Sequence, residues 1–404
     1  MAKLELFSEY RGLNRGNYIL FVGRIMTAMG SMVWPILTFI LSQRLGMSAT
    51  AISVVIVVIG IIQMPMTLFG GKLADHYEKK KIINICDIVS VICCLYCFFN
   101  EVNIVNMAIF AFGSVVQSME WPAYNALVAD ITCSDDRERA YSLNYLGTNI
   151  GMILSPTIAG ILYKNHLNLV FGINGISILS STLLIYFFLK VKKVESGNIV
   201  EETKFEGNTL SVLKKYPIIV IFLALCGLHT ALYNQYGYLM PLDMSAVHGE
   251  NGALIYGTVN TVNCIVVVMF TPLITRFFRN MSEIYKIITA FVLMMISYVI
   301  FVLFKGFIPV YYLLMLIFTW GEIFNTLAAD PYLTRRVPAD FRGRIFGIAN
   351  ISASIFVCIG QLLTGVLYDN AGSTITWLIM IGLCLGGIFL GFYINRKDRE
   401  FFHL

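Results

Sequence analysis

The sequence predicts an all-α membrane protein of 12 transmembrane helices in two pseudo-symmetric six-helix bundles. Three observations predict it: apolar runs long enough to cross a bilayer recur from end to end, the basic residues fall between them almost wholly on one side, and the second half repeats features of the first. Hydrophobic residues make up 57% of the 404 and charged residues 13%, against about 25% charged in a soluble domain. A helix needs about 20 apolar residues to cross a ~30 Å hydrocarbon core. Lipid offers no water to backbone groups, so such runs must be helices, and a barrel would show alternation instead.

Reading apolar runs against polar breaks gives the spans in order. The first covers 17–43 and ends at Arg44; the second, 49–71, runs into the basic stretch Lys79 to Lys81. The third and fourth, 82–100 and 104–128, are parted by Asn100 and Glu101. The fifth, 140–163, follows Arg137 and Arg139, and the sixth, 168–190, follows Lys164 to His166. Beyond a polar stretch come 217–243, 252–275, 284–304, 308–333, 345–368 and 374–394. With the N-terminus cytoplasmic, Arg44, Lys164 and Lys305 are outside, Arg24 lies within a span, and every other Lys and Arg is inside. That is the positive-inside bias, so both termini are expected in the cytoplasm.

The chain is expected to divide into an N-terminal bundle at 1–190, a cytoplasmic linker at 191–216 and a C-terminal bundle at 217–404. A shift of 205 positions lays Arg137 and Arg139 on Arg342 and Arg344, and Gly160, Tyr163 and Asn165 on Gly365, Tyr368 and Asn370. Such an internal repeat marks two parallel halves.

The net charge of +5 does not indicate nucleic acid, because the basic residues are scattered between spans. Met1 to Asn17 is polar and the first apolar run is too long for a signal h-region, so no cleavable signal is expected. The nine cysteines, Cys86, Cys93, Cys94 and Cys97 among them, lack zinc spacing with histidines and read as buried small hydrophobes. No metal or cofactor is expected. Hydrolase, metalloprotease and Walker signatures are absent from the sequence, which argues against an enzyme and against ATP-driven transport.

Between the second and third spans stands Gly71-Lys72-Leu73-Ala74-Asp75-His76-Tyr77-Glu78-Lys79-Lys80-Lys81. It resembles the major facilitator superfamily loop G-x-L-A-D-[RK]-x-G-R-[KR], from which His76 and Glu78 depart. In the fifth span, Gly147, Gly151, Ser155, Pro156 and Gly160 resemble the G-x3-GP-x2-GG signature of drug:proton antiporters. Ser155 and Ala159 replace glycines, yet small residues at this spacing still allow close helix contact. The resemblance implies a bacterial cell-membrane carrier of the major facilitator fold, most like multidrug exporters. It is expected to act as a monomer in the lipid bilayer, with protons and a small-molecule substrate as its partners. Gly71, Asp75, Lys79, Lys80, Asp130, Arg137, Arg139, Arg342 and Arg344 then read as gating charges and turns, or as purely topogenic ones.

Ionisable groups at bilayer depth are expensive and are functional candidates by default. Arg24 and Glu120 lie at similar depth, roughly 12–15 Å from the cytoplasmic surface at 1.5 Å per residue. They are expected to form an ion pair, either working or structural. Glu322 lies near the midplane in Trp320-Gly321-Glu322-Ile323-Phe324-Asn325. Ionisation is costly there, which suits a group that takes up and releases a proton; Glu120 is the second such candidate. Asp87, six residues past Lys81, is expected to pair with the basic loop.

Polar and aromatic residues at helical spacing mark faces turned from lipid. Gln117, Glu120 and Tyr124 do so in span four, Asn144 and Asn149 in span five, and His229, Tyr233, Gln235 and Tyr236 in span seven. Asn260 and Asn263 follow in span eight, Trp320 and Asn325 in span ten, and Asn350 in span eleven; Arg24 completes the expected cavity. Aromatics and methionines with few fixed charges suit a bulky amphipathic cation. The reading is a proton-coupled exporter of drug-like molecules working by alternating access. The alternative is a carrier of another solute (nutrient, lipid or siderophore) on the same fold, whether uniporter or symporter.

Overall fold

The computed structural model describes residues 10–133, 136–191, 213–214, 216–337 and 341–402. Among these the chain is helical nearly throughout and has no strand. The linker expected at 191–216 falls almost wholly outside them. The elements are α1 (Arg15–Gly30), α2 (Val33–Phe39) with a π turn at Ile40–Arg44, α3 (Ala49–His76), α4 (Lys79–Phe99), α5 (Ile104–Gln117), α6 (Glu120–Ile131), α7 (Arg137–Tyr163) and α8 (Leu167–Phe188). They continue as α9 (Pro217–Asn234), α10 (Leu239–His248), α11 (Asn251–Phe277), α12 (Glu283–Leu303), α13 (Ile308–Thr326), α14 (Ala329–Arg336) and α15 (Arg342–Phe402).

Among the described residues, 10 helical stretches are long and apolar enough to cross a bilayer. The last, Arg344–Asp398, is interrupted at Gly372, whose φ of 81° and ψ of 168° break the helix, and so supplies two crossings. Helices α5 and α6, each too short alone, form one more. Twelve crossings result, and the protein is a multi-pass membrane protein.

Four spans are broken, and each break lies four residues before a proline. Ser31 precedes Pro35, Ser118 precedes Pro122, Gly237 precedes Pro241 and Leu327 precedes Pro331. A proline has no N–H for the carbonyl four residues back and its ring crowds it. At Ser118 a neighbouring helix comes close: Thr67 Oγ1, 2.9 Å from Gln63 O in its own helix, also lies 3.3 Å from Ser118 O. A Cβ on Gly70 would collide with the backbone of Met119, so α3 lies directly against the break.

The chain divides into two compact units. The first takes the described residues of Met1–Gly46, Val58–Ile199 and Ala253–Cys264; the second takes those of Met47–Val57, Val200–Gly252 and Ile265–Leu404. Helices α3 and α11 are therefore each shared.

In the first unit, α1 packs on α7 and α8, and α4 on α5, α6 and α8. Its core holds Leu20, Ile83, Ala123, Leu127, Val128 and Ile185. Small residues let backbones approach: a Cβ on Gly151 would lie 2.5 Å from Ile25 O and 2.6 Å from Ala28 Cβ. One on Gly147 would meet Phe21, and one on Gly160 would lie 2.6 Å from Ala253 O. Ser155 is 1% exposed.

The second unit is knit by two buried carboxylates. Asp243 accepts from Lys305 Nζ, from Tyr368 Oη at 2.9 Å, from Ser373 Oγ at 2.8 Å and from Trp377 Nε1. Asp398 accepts from Arg336 through Nε at 2.8 Å and through Nη2, and from Tyr332 Oη at 2.9 Å. The Arg336 guanidinium also lies 3.8 Å from the Tyr332 ring, and Phe222 stacks on that ring at 3.8 Å.

Candidate functional site

In the first unit a cavity of about 410 Å³ is lined by Arg24, Thr27, Trp34, Gln63, Thr67, Ser114, Gln117, Ser118, Glu120 and Trp121. The break between α5 and α6 builds it: Gln117 and Ser118 end one helix, and Glu120 and Trp121 begin the next. Trp34 and Trp121 are 38% and 55% exposed, whereas Glu120 is only 8% exposed. The wall therefore joins aromatic surface to a sunken carboxyl group.

Arg24 and Glu120 both line this cavity, but not as a direct ion pair. No nitrogen of Arg24 lies within 4 Å of a Glu120 oxygen. Instead the guanidinium lies 3.9 Å from the centre of the Tyr124 ring and 5.0 Å from that of Trp121. Aromatic faces attract a cation and shield it from lipid. Tyr124 is itself fixed, its hydroxyl lying 2.8 Å from Leu20 O and 3.1 Å from Asn144 Oδ1. Asn144 in turn donates to Ala140 O at 2.9 Å. These two residues underlie the cavity instead of facing it.

Asp87 is the second correction. It lies away from the basic loop, 4% exposed, with its Oδ2 2.7 Å from the Thr182 hydroxyl. Six residues of α-helix carry it about 9 Å from Lys81, past the reach of the loop and into the α4–α6–α8 contact. The sequence distance to Lys81 was a poor guide; Thr182, 95 positions away, is the neighbour that matters.

The remaining candidates scatter. Asn149 donates to Tyr145 O within its own helix, Asn260 is half-buried and Asn263 buried, and Asn350 is exposed. In the second unit Tyr233 and Tyr236 both pack on Phe318, at 5.3 Å each. Gln235 is 1% exposed, donates to Ala231 O and accepts from Thr364. His229 is buried edge-on against Phe291, and its Nε2 has no hydrogen-bond partner among the described residues. Trp320 tilts against Phe270 at 5.6 Å, and Glu322 beside it is half-buried. Trp320 Nε1 and Asn325 Oδ1 are buried without a hydrogen-bond partner among the described residues.

At the start of α4, Lys79 bridges to Asp130 at 2.7 Å. Lys80 donates to Tyr186 O and Leu189 O, both at 2.8 Å, and so caps the end of α8. Asp75 is exposed, and a Cβ on Gly71 would have ordinary room. Arg139 pairs with Asp136 at 2.6 Å and donates to Arg11 O, while Arg344 lies 5.7 Å from the Phe341 ring. Arg137 is half-buried; the side chain of Arg342 lies outside the described residues.

Sequence reading overlooked Gln63, Thr67, Ser114 and Ser118 in the cavity wall, along with Trp121, and Asp243 and Asp398 altogether. The first four are common helix residues with no charge to draw notice. Asp243 did carry a signal, an acid among Leu239, Met240, Leu242 and Met244.

The sequence profile of the Major Facilitator Superfamily matches residues 19–360. The chain is similar to the uncharacterized MFS-type transporter YqjV of Bacillus subtilis, 24% identical over 97% of each chain. It is similar to the quinolone resistance protein NorA of Staphylococcus aureus, 22% identical over 96% of this chain and 98% of that one. A Na(+), Li(+), K(+)/H(+) antiporter of Planococcus maritimus is 21% identical over 85% of this chain and 87% of its own. Among solved structures, a POT family transporter in complex with a thioalcohol conjugated peptide shares the fold with a TM-score of 0.78, at 14% identity and 96% coverage of both chains.

Proposed function

The chain belongs to the Major Facilitator Superfamily, and we propose that it is a proton-coupled exporter of amphipathic, cationic small molecules. It is a transporter and not an enzyme. The observation that carries the finer reading is the cavity wall in which Trp34 and Trp121 flank the sunken carboxyl of Glu120. Aromatic faces and a carboxylate together suit an amphipathic cation, and a carboxyl there can hold a proton when the cation is absent. Protonation and ligand binding then compete, and an inward proton gradient empties the site outward. Glu322, half-buried in its span, is the second proton-binding candidate. The similarity to a quinolone resistance protein and to a cation/H(+) antiporter supports an exchange of solute for protons. The basic loops lie in the cytoplasm in this reading, and the carrier works as a monomer in a bacterial cell membrane.

Purified protein in liposomes with an imposed pH gradient tests this. Adding ethidium should drive proton movement in the wild type, and Glu322→Gln and Glu120→Gln should each reduce it. Ethidium movement with no accompanying protons would instead favour a facilitator for organic cations.

A further inference from the structure

In the second unit α11 stops at Phe277 and α12 starts at Glu283, and each is long and apolar enough to cross a bilayer. The turn between them therefore stands at headgroup depth. Here opens a pocket of about 930 Å³, walled by this turn, the first turn of α12, α14 and the end of α15. The cations Arg279, Lys286, Arg335 and Arg336 line it, against the two carboxylates of Glu283 and Asp398. We propose that this pocket binds a phosphate group, of the kind that an anionic phospholipid headgroup or a soluble phosphate presents.

The acids of the pocket are already engaged. Asp398 is held by Arg336 and Tyr332, and Glu283 lies 2.5 Å from Arg335 and 3.9 Å from Arg336. Arg279 is exposed and Lys286 half-buried, and neither has a carboxylate partner among the described residues. Two positive charges are thus left over, and a concave wall focuses them on whatever enters. Arginine and lysine give phosphate oxygens charge-assisted hydrogen bonds. A neutral donor stands with them: Tyr285 Oη accepts from Asn395 at 3.4 Å, and its own hydrogen has no acceptor among the described residues. The N-terminal end of α12, a helix of 21 residues, lies in the same wall and also favours an anion.

The surroundings favour lipid as the source. Phe277 and Phe278 directly precede Arg279, Tyr285 directly precedes Lys286, and all three rings are exposed. Aromatic surface next to cations is the pattern of a membrane interface, and the anions at that depth are headgroup phosphates. A soluble phosphate would need no such rings. The positive-inside bias asks only that basic residues lie on one side of the membrane; it does not gather them around a pocket.

The test titrates the full chain, purified in a neutral detergent, and follows its Tm. Dihexanoyl phosphatidylglycerol should raise the wild-type Tm saturably, and dihexanoyl phosphatidylcholine should not. Arg279→Gln combined with Lys286→Gln should weaken the apparent affinity about thirtyfold. Asn280 also lines the pocket. Asn280→Asp adds a carboxylate there and should weaken binding about fivefold, so the pocket is judged even where the double variant fails to fold. Inorganic phosphate separates the two sources. No response to it assigns the site to lipid; an equal response, weakened in the same variants, assigns it to a soluble phosphate. Saturation by neither source, an equal response to phosphatidylcholine, or unchanged affinity in the variants would overturn the proposal.

Discussion

The guanidinium of Arg24 rests 3.9 Å from the ring of Tyr124, and that tyrosine is in turn tied by its hydroxyl to the helix that carries Arg24. Leu20, which accepts the bond, sits one turn before Arg24 on α1, so ring and cation are positioned by a single closed loop of contacts. Tyr124→Phe keeps the ring but removes the hydroxyl from Leu20 O and Asn144. It should lower stability by about 1 kcal/mol, seen as a reduced Tm in detergent, while ethidium transport persists. Tyr124→Leu removes the face on which Arg24 lies and should lower both.

Close approach of α7 to α1 depends on the hydrogen at Gly151. Gly151→Ala places a methyl group against Ile25 O and Ala28 and should destabilise by about 1–3 kcal/mol through overpacking. Gly60→Ala is the matched control, since nothing lies within 4 Å of its added Cβ. Thermal unfolding of the two variants side by side should show a loss only for Gly151→Ala.

Asp243 satisfies four donors at once, and one of them is the Lys305 ammonium. Asp243→Ala strands that cation beside Trp377, Tyr368 and Ser373, and should cost about 3 kcal/mol or more. Poor yield of folded protein, or a Tm well below wild type, would be the sign. An unchanged Tm would mean that water replaces the carboxylate.

Lys79 and Asp130 are partly exposed, at 19% and 26% of their side chains. Either single neutralisation should cost no more than about 1 kcal/mol, with a weaker effect at high salt. The charge swap Lys79→Asp with Asp130→Lys should recover what each single change loses, as a double-mutant cycle in Tm would reveal.

The sequence made the membrane fold legible because hydrophobic length and loop charge are properties of single segments. Glu120 was legible for the same reason: a charge in an apolar run needs no partner to be noticed. The seat of Asp87 was not legible. Asp87 and Thr182 stand 95 positions apart, and Asp87 looked closer to Lys81 because sequence distance hides the turn of a helix. Arg24 went astray for a related cause. Charge complementarity suggested Glu120, while the actual seat is the aromatic surface of Tyr124 and Trp121. The four span breaks were written in the chain as Pro35, Pro122, Pro241 and Pro331, yet Pro65, Pro156 and Pro272 sit inside continuous helices. Proline marks where a break is cheap; the packing decides whether one occurs.

Arg336 and Asp398 are 62 residues apart, both nearly sealed from solvent and joined through two nitrogens. During synthesis the arginine must wait for its closer counter-charge until two more membrane crossings have been made. A nascent chain in that interval has only Glu283, 3.9 Å away, as a carboxylate for the Arg336 cation. The closest ion pair of that helix end therefore forms last, and truncation just before Asp398 should lower the Tm in detergent even though every span is present.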